Sequence, residues 1–405
     1  MLNPKFSAKP AAGTKSLGIR ELSELCAERA KVVGIENVYD FTLGNPSTPP
    51  PQAVLDCIKE LAEAEDQVAI HGYSSNQGFD ETREAIAKSY NRRFGCNMTK
   101  DNFIMVSGAT TALHTISIIL NIDENSELIA IAPFFPAYHT VAAVGGNKLV
   151  IVPPDTENFQ INMEALEAAI NPNTQGVIIN SPNNPSGTIY SPETIQKIAN
   201  LLIKKSEEYG HAIYIIADEP YRELVYTDEI VPYIPDYYPN TIIAYSYSKS
   251  LSFAGDRIGY VCTDNNIEDF DGVWRALKKA ALTAGNVCAP SFFQRVIEKC
   301  VDVEPNMDDY IYNRNLLMNG LQEIGIHTAN PSGAFYLFVQ APFGMSAPEF
   351  AELCVKHDIY IVPADSFGCP GWLRLSYCVS RATCEGSLPG FAAAYKEAEA
   401  MAAAK

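Results

Sequence analysis

Between residues 100 and 263, short apolar, β-branched runs alternate with stretches of helical period, and this alternation restricts the fold more than any other feature of the chain. Strands are predicted at 103–106, 127–132, 148–152, 176–180, 213–218, 241–246 and 258–263. Each is apolar on nearly every residue instead of every second one, the pattern of strands covered on both faces in a mainly parallel sheet. Helices between the strands supply the cover. The clearest runs from Pro192 to Tyr209, with Ser191 as N-cap, Pro192 at the first helical position and Gly210 just past the end. After residue 264 the rhythm changes to long helical stretches at 268–285, 290–302 and 307–324, the last ending at Gly325. A smaller α+β unit follows: strand-like AFYLFVQ (334–340), a helix from Ala347 to His357, strand-like WLRLSYC (372–378) and a final Ala-rich helix. A chain of 405 residues exceeds what one core organises, so two domains are expected.

Charge narrows the function. Forty-eight acids against 30 bases leave a formal charge of −18, which repels nucleic-acid backbones and anionic membrane surfaces alike. A local basic pocket for a small anion stays compatible with it. The ten cysteines are scattered with no CxxC pair, so reduced, mostly buried thiols are expected in place of disulfides or a metal centre. The N-terminal stretch has no apolar core of signal-peptide length and no segment has membrane-spanning length, from which a cytoplasmic location is expected.

The strongest chemical signal is SYSKSLSFAGDRIGY, 246–260. A solvated loop lysine is the ordinary reading of any lysine, but here a buried strand precedes Lys249 and Gly255 and Gly259 flank Arg257. Ser246, Ser248 and Arg257 can face one phosphate, the hydroxyls and the guanidinium both donating to it. Lys249 can then reach an aldehyde on the same molecule and form a Schiff base. Three further segments follow predicted strands. ADEPYREL (217–224) puts Asp218 at a strand's carboxyl tip, where open α/β sheets place ligand-binding groups. NSPNNPSG (180–187) follows the strand GVIIN. VSGATTALHTISIIL (106–120) runs from a strand end through Gly108 into a helix, whose first amides at Ala109 and Thr110 suit an anion.

The segment around Lys249 resembles the lysine signature of class I/II aminotransferases, the fold type I enzymes that use pyridoxal 5'-phosphate. The resemblance implies that Lys249 holds the cofactor and later carries a proton, and that Ser246, Ser248 and Arg257 hold its phosphate. By the same similarity Asp218 keeps the pyridine nitrogen protonated, while Tyr221 and Asn184 bond the phenolic oxygen; Ser186 stands where the family's NPTG motif usually has Thr. PFFPAY (133–138) is similar to the segment whose ring stacks on the pyridine, which points to Phe135 where Tyr or Trp is commoner. HGYSSNQGFDETREAI (71–86) is similar to the segment in which a tyrosine, here Tyr73, reaches the phosphate of the neighbouring subunit of a homodimer. LRLSYC (373–378) resembles the motif whose arginine grips the substrate's α-carboxylate, giving Arg374, and FTLGNPSTPPP (41–51) resembles the N-terminal motif in which Gly44 lines the site.

The implied fold is α/β, a large domain with a mainly parallel seven-stranded sheet covered by helices, plus a smaller α+β domain. Residues 1–48 are expected to pack with the small domain, 49–300 to form the large cofactor-binding domain and 301–405 the small one. The implied reaction moves an amino group from an L-amino acid to a 2-oxo acid through the Lys249 Schiff base, in a ping-pong sequence. A C–S β-lyase on the same scaffold is the alternative, since loss of the Cα proton opens both paths; Tyr221 in DEPY fits the transaminase pattern better. A DNA-binding regulator built on the same domain would need an N-terminal module, for which the start of the matched motifs near residue 41 leaves no room. Arg20 and Arg222 are both open as partners for a substrate's side-chain carboxylate.

Overall fold

Residues 18–404 are described by the computed structural model; the first 17 residues of the expected N-terminal segment lie outside them. Tyr39–Asp40 (β1) is a short strand, and the seven strands expected from the sequence follow as Phe103–Val106 (β2), Glu127–Ile131 (β3), Lys148–Val152 (β4), Thr174–Asn180 (β5), Tyr214–Asp218 (β6), Thr241–Ser246 (β7) and Gly259–Thr263 (β8). They form one sheet in the order β2-β8-β7-β6-β5-β3-β4. Only β8 runs against its neighbours, pairing antiparallel with β2 and β7, while β3 to β7 pair in parallel.

Both faces of this sheet are covered, as the continuous apolar runs require. In β7, Ile243 and Tyr245 join one apolar cluster while Ile242 and Ala244 join the other. The same alternation sends Ile215 and Ala217 of β6 to the first side and Ile216 to the second. Burying each of these isoleucine side chains stabilises the fold by about 1.5–3 kcal/mol before chain entropy is subtracted. Helix Pro192–Tyr209 packs on the first side and begins where predicted: Ser191 Oγ accepts from Thr194 N–H at 3.1 Å, and Gly210 closes the other end with φ +75°.

The rest of the chain builds a smaller α+β unit. Tyr336–Gln340 (β9), Ile359–Tyr360 (β10), Val362–Pro363 (β11) and Trp372–Ser376 (β12) supply its strands; β12 lies between β9 and β11, antiparallel to both. The strand expected from Ala334 begins only at Tyr336, because Ala334 has φ +59° and cannot extend a ladder. The N-terminal chain joins this unit. β1 pairs with β10, Phe41 accepts from Ser376 N–H at 2.9 Å, and helix Ile19–Val33 is tied down by Arg29 on Asp358 at 2.6 Å. No helix among the described residues is long and apolar enough to cross a membrane.

Candidate active site

The carboxyl ends of β5, β6 and β7 lie side by side, with Asn180 opposite Asp218 and Asp218 opposite Ala244. Side chains leaving these ends converge, as the parallel register dictates. Ser246, in extended backbone, caps the single helical turn Tyr247–Ser250 by accepting from Ser248 N–H at 3.2 Å. Its hydroxyl lies 2.6 Å from that of Ser248. The turn projects Lys249, whose Nζ donates to the Gly44 carbonyl at 2.5 Å.

Arg257 closes this group from the far side. Its Nη1 donates to the Ala254 carbonyl at 2.8 Å and lies 3.4 Å from Ser248 Oγ, while Nη2 donates to the Ser107 carbonyl at 3.0 Å. The backbone it meets must be bare. A Cβ on Gly108, which has φ +85°, would stand 2.4 Å from Nη2 of Arg257. Gly108 caps helix Ala109–Ile119, so the N–H groups of Ala109 and Thr110, the serine hydroxyls and the guanidinium gather as donors on one side of the cavity.

Asp218 sits deeper. Tyr138 donates to its Oδ2 at 2.6 Å, and its buried Oδ1 has no partner among the described residues. Burial pushes the carboxyl up to about 7, and the Glu219 charge adds to the rise while the Tyr138 hydrogen bond opposes it. Asn180 ties Asp218 to the turn that follows β5: its Nδ2 donates to the Asp218 carbonyl at 2.8 Å and its Oδ1 accepts from Asn184 N–H at 2.7 Å. Asn184 Oδ1 in turn accepts from Nη1 of Arg374 at 3.2 Å.

Arg374 is 2% exposed, yet it pairs with no protein carboxylate among the described residues. Nη2 donates to the Thr42 carbonyl, Nε has no partner, and the guanidinium lies 4.7 Å from the Tyr336 ring centre and 5.1 Å from that of Phe367. Burial lowers its pKa, the direction expected of an uncompensated cation. Lys249 is lowered to about 8, first by burial and then by the Arg374 and Arg257 charges; the neighbouring Cys378 thiol works the other way. The phenol of Tyr221 lies 2.9 Å from that of Tyr336.

Together these groups line one cavity of about 360 Å³. It takes in Gly44, Ala109, Thr110, Phe135, Asn184, Asp218, Tyr221, Ser246, Ser248, Lys249, Arg257 and Arg374 from the residues expected on sequence grounds. Gly108 lies behind its wall, beneath Arg257. Tyr73 does not join it: the side chain is 90% exposed on the outside of the chain. Arg222, one of the two arginines open for a substrate carboxylate, is instead buried against Glu219 in a bidentate pair at 2.6 and 2.7 Å. Tyr138, Asn180 and Tyr336 belong to the site and were missed. Tyr138 and Tyr336 stood within quoted segments, PFFPAY and AFYLFVQ, but only the folded chain shows their hydroxyls facing inward. A groove of about 560 Å³ between helices Asp308–Ile324 and Arg381–Ala403 shows no such convergence, and its Arg381 pairs with Asp309 at 2.7 Å.

Known proteins resemble this chain over most of its length. An amino transferase from Eubacterium rectale has a crystal structure that matches with a TM-score of 0.92 and 50% identity, over 95% of this chain and 96% of that one. An aspartate aminotransferase from Pyrococcus horikoshii is 31% identical over 93% of this chain and 94% of its own length. An aromatic-amino-acid aminotransferase from Thermococcus litoralis is 29% identical over 86% of this chain and 89% of its own. The family described as aminotransferase class I and II matches residues 36–388, and with a lysine, a buried aspartate and a buried arginine that meets no carboxylate among the described residues sharing one cavity, this chain belongs to that family of fold type I enzymes.

Proposed function

We propose that Lys249 is the residue through which this aminotransferase binds pyridoxal 5'-phosphate and moves an amino group from an L-amino acid to a 2-oxo acid. Enzymes of the family depend on that cofactor. When bound, it supplies an aldehyde that takes up the amino group and a ring that delocalises the electron pair left when the Cα proton is removed.

The residues present fit the group. The donor cluster of Ser246, Ser248, Arg257 and the amides of Ala109 and Thr110 would hold its phosphate, in a cradle that a Cβ at Gly108 would fill. Asp218 has one carboxylate oxygen without a partner among the described residues, which would hold a proton on the pyridine nitrogen. Phe135 would cover the ring face, and Tyr221 and Asn184 would donate to the phenolic oxygen. Lys249, whose amine is lowered to about 8 by burial, would serve as the nucleophile that takes up the aldehyde and as the group that carries a proton to and from the substrate Cα. Arg374, with Nε unpartnered, would bind the substrate's α-carboxylate beside Asn184, and Gly44 would line the same wall.

The observation that carries this reading is the partly buried Lys249 in one cavity with buried Asp218 and Arg374. The relatives' names and Tyr221 in DEPY favour amino transfer over C–S cleavage. Borohydride reduction of the holoenzyme followed by peptide mapping should find the cofactor on Lys249; label on another lysine, or on none, removes the assignment.

A homodimer with shared sites, a cytoplasmic location and the division at residues 1–48, 49–300 and 301–405 complete the proposal. Exposed Tyr73, Val68 and Val287 support the first, and Asn76, in the loop that carries Tyr73, donates to the Val287 carbonyl at 2.7 Å. The separate apolar clusters of the sheet and of the smaller unit support the last.

A further inference from the structure

Tyr221 and Tyr336 both line the cavity, their phenol oxygens lie 2.9 Å apart, and neither hydroxyl has another hydrogen-bond partner among the described residues. The pair therefore carries two hydrogens and uses one between them. The other is left for whatever enters the cavity. A phenol that only filled the fold would end on backbone, as Tyr238 does by donating to the Ile213 carbonyl at 2.6 Å.

The surroundings of Tyr336 decide which phenol keeps its hydrogen free. Tyr336 opens β9 opposite Ser376 of β12, and Arg374 lies two residues before Ser376 on the same face. That register sets the Arg374 guanidinium 4.7 Å from the centre of the Tyr336 ring. Burial pushes the Tyr336 phenol up to about 12, and the Arg374 charge is the first influence to oppose the rise; on Tyr221 the same charge ranks last. Tyr336 is thus the better donor of the two, and Tyr221 keeps the hydrogen that faces the cavity. The Tyr336 hydroxyl is also fixed in place. A Cβ on Gly44 would stand 2.1 Å from its oxygen, so it rests on the residue whose carbonyl accepts from Lys249.

We infer that Tyr336 is a positioning residue whose hydroxyl donates to Tyr221 and so aims and strengthens the Tyr221 hydrogen bond to the cofactor's phenolic oxygen, while its ring supports the Arg374 guanidinium. The inference rests on the aminotransferase reading above. A hydroxyl that accepts one hydrogen bond donates the next more strongly, by about 10–30%. Donation to the phenolic oxygen stabilises its negative charge, which is fullest when the Lys249 Schiff base has lost its proton. Tyr336, acting through Tyr221, should therefore make that proton easier to lose.

The test is an absorbance titration of the holoenzyme and of its Tyr336→Phe, Tyr221→Phe and doubly substituted forms. Tyr336→Phe should raise the Schiff-base pKa by roughly 0.3–1 and Tyr221→Phe by more, with the double variant no higher than Tyr221→Phe alone. Cofactor-free protein gives a binding readout: Tyr336→Phe should weaken pyridoxal 5'-phosphate about two- to ten-fold and leave an analogue lacking the phenolic hydroxyl unchanged. The ring is tested apart from the hydroxyl. Tyr336→Phe keeps it, so the amino-acid KM should hold, whereas Tyr336→Leu should raise KM roughly two- to thirty-fold. A pKa that stays put in Tyr336→Phe, or moves equally with and without the Tyr221 hydroxyl, overturns the inference, as do equal losses on both cofactor forms. With a Schiff base present in the wild type, those results leave the aminotransferase reading standing. A wild type that forms no Schiff base with the cofactor overturns that reading and this inference with it.

Discussion

Tyr138 donates its phenol hydrogen to Oδ2 of Asp218 at 2.6 Å and leaves Oδ1 of the same buried carboxylate without a partner. The arrangement fixes the carboxylate's orientation while reserving one oxygen. Asp218→Asn keeps the shape but cannot stabilise a proton on a ring nitrogen, so cofactor binding should survive. Cα deuterium exchange should fall on the order of a hundred-fold or more. Wild-type exchange rates in that variant would contradict the role. Stability should change in the opposite sense. With the folded carboxyl raised from 3.8 to about 7, the cofactor-free wild type loses stability as pH rises across that window. Asp218→Asn removes that loss, so above pH 7 the cofactor-free variant should match or exceed the wild type in denaturant midpoint.

Lys249 gives a second pH signature, with its own sign. Its amine is lowered from 10.5 to about 8 by burial, so in the cofactor-free protein between those values the unfolded chain holds a proton that the folded one has released. Stability therefore rises with pH across the window. Lys249→Met should be more stable than the wild type below pH 8, the gap closing towards 10.5. Denaturant midpoints of both cofactor-free proteins measure this. A constant gap would mean that the lysine is not buried as described.

Gly108 and Gly255 separate a required glycine from an incidental one. A Cβ at Gly108 would meet Nη2 of Arg257 at 2.4 Å in a backbone at φ +85°, whereas a Cβ at Gly255 would meet nothing within 4 Å. Gly108→Ala should weaken cofactor binding about ten-fold or more, combining roughly 1–2 kcal/mol of backbone strain with displacement of the guanidinium. Gly255→Ala should leave it unchanged. Fluorescence titration of both variants with cofactor is the measurement, and equal behaviour would sever the link between Gly108 and the phosphate cradle.

The same contrast shows what was legible in the sequence. The sheet was readable because strands buried on both faces leave continuous apolar runs, and Lys249, Asp218 and Asn184 because each lies at or just beyond the carboxyl end of such a strand. Gly255 and Gly259 looked alike beside Arg257, yet only Gly259 is crowded, its Cβ position 2.3 Å from the Tyr245 carbonyl of the adjacent strand. Tyr138 and Tyr336 act on partners 80 and 115 residues away, and no local spacing encodes such distances. Arg222 was indistinguishable from Arg20 as a free cation until Glu219 proved to hold it.

Arg374 offers the sharpest division between binding substrate and holding the fold. A structural arginine this buried would need a carboxylate, and among the described residues its hydrogen bonds go only to Asn184 Oδ1 and the Thr42 carbonyl. Its charge is therefore a cost to the substrate-free protein, as its lowered pKa indicates. Removing it should leave the melting temperature nearly unchanged or higher. Kinetics should suffer instead. Loss of one partner of a buried charged pair costs roughly 2 to 5 kcal/mol, or about thirty-fold to several thousand-fold in kcat/KM, for Arg374→Ala. Arg374→Lys keeps the charge but not the two-pronged fork, so it should lose less while still turning over slowly, because a substrate held at one point no longer keeps its Cα–H bond in the reactive orientation. Cofactor occupancy, melting temperature and amino-acid kinetics measured on one preparation decide the matter: a fully loaded Arg374→Ala protein with normal kinetics and lowered stability would make this arginine a structural residue and leave the α-carboxylate without a holder.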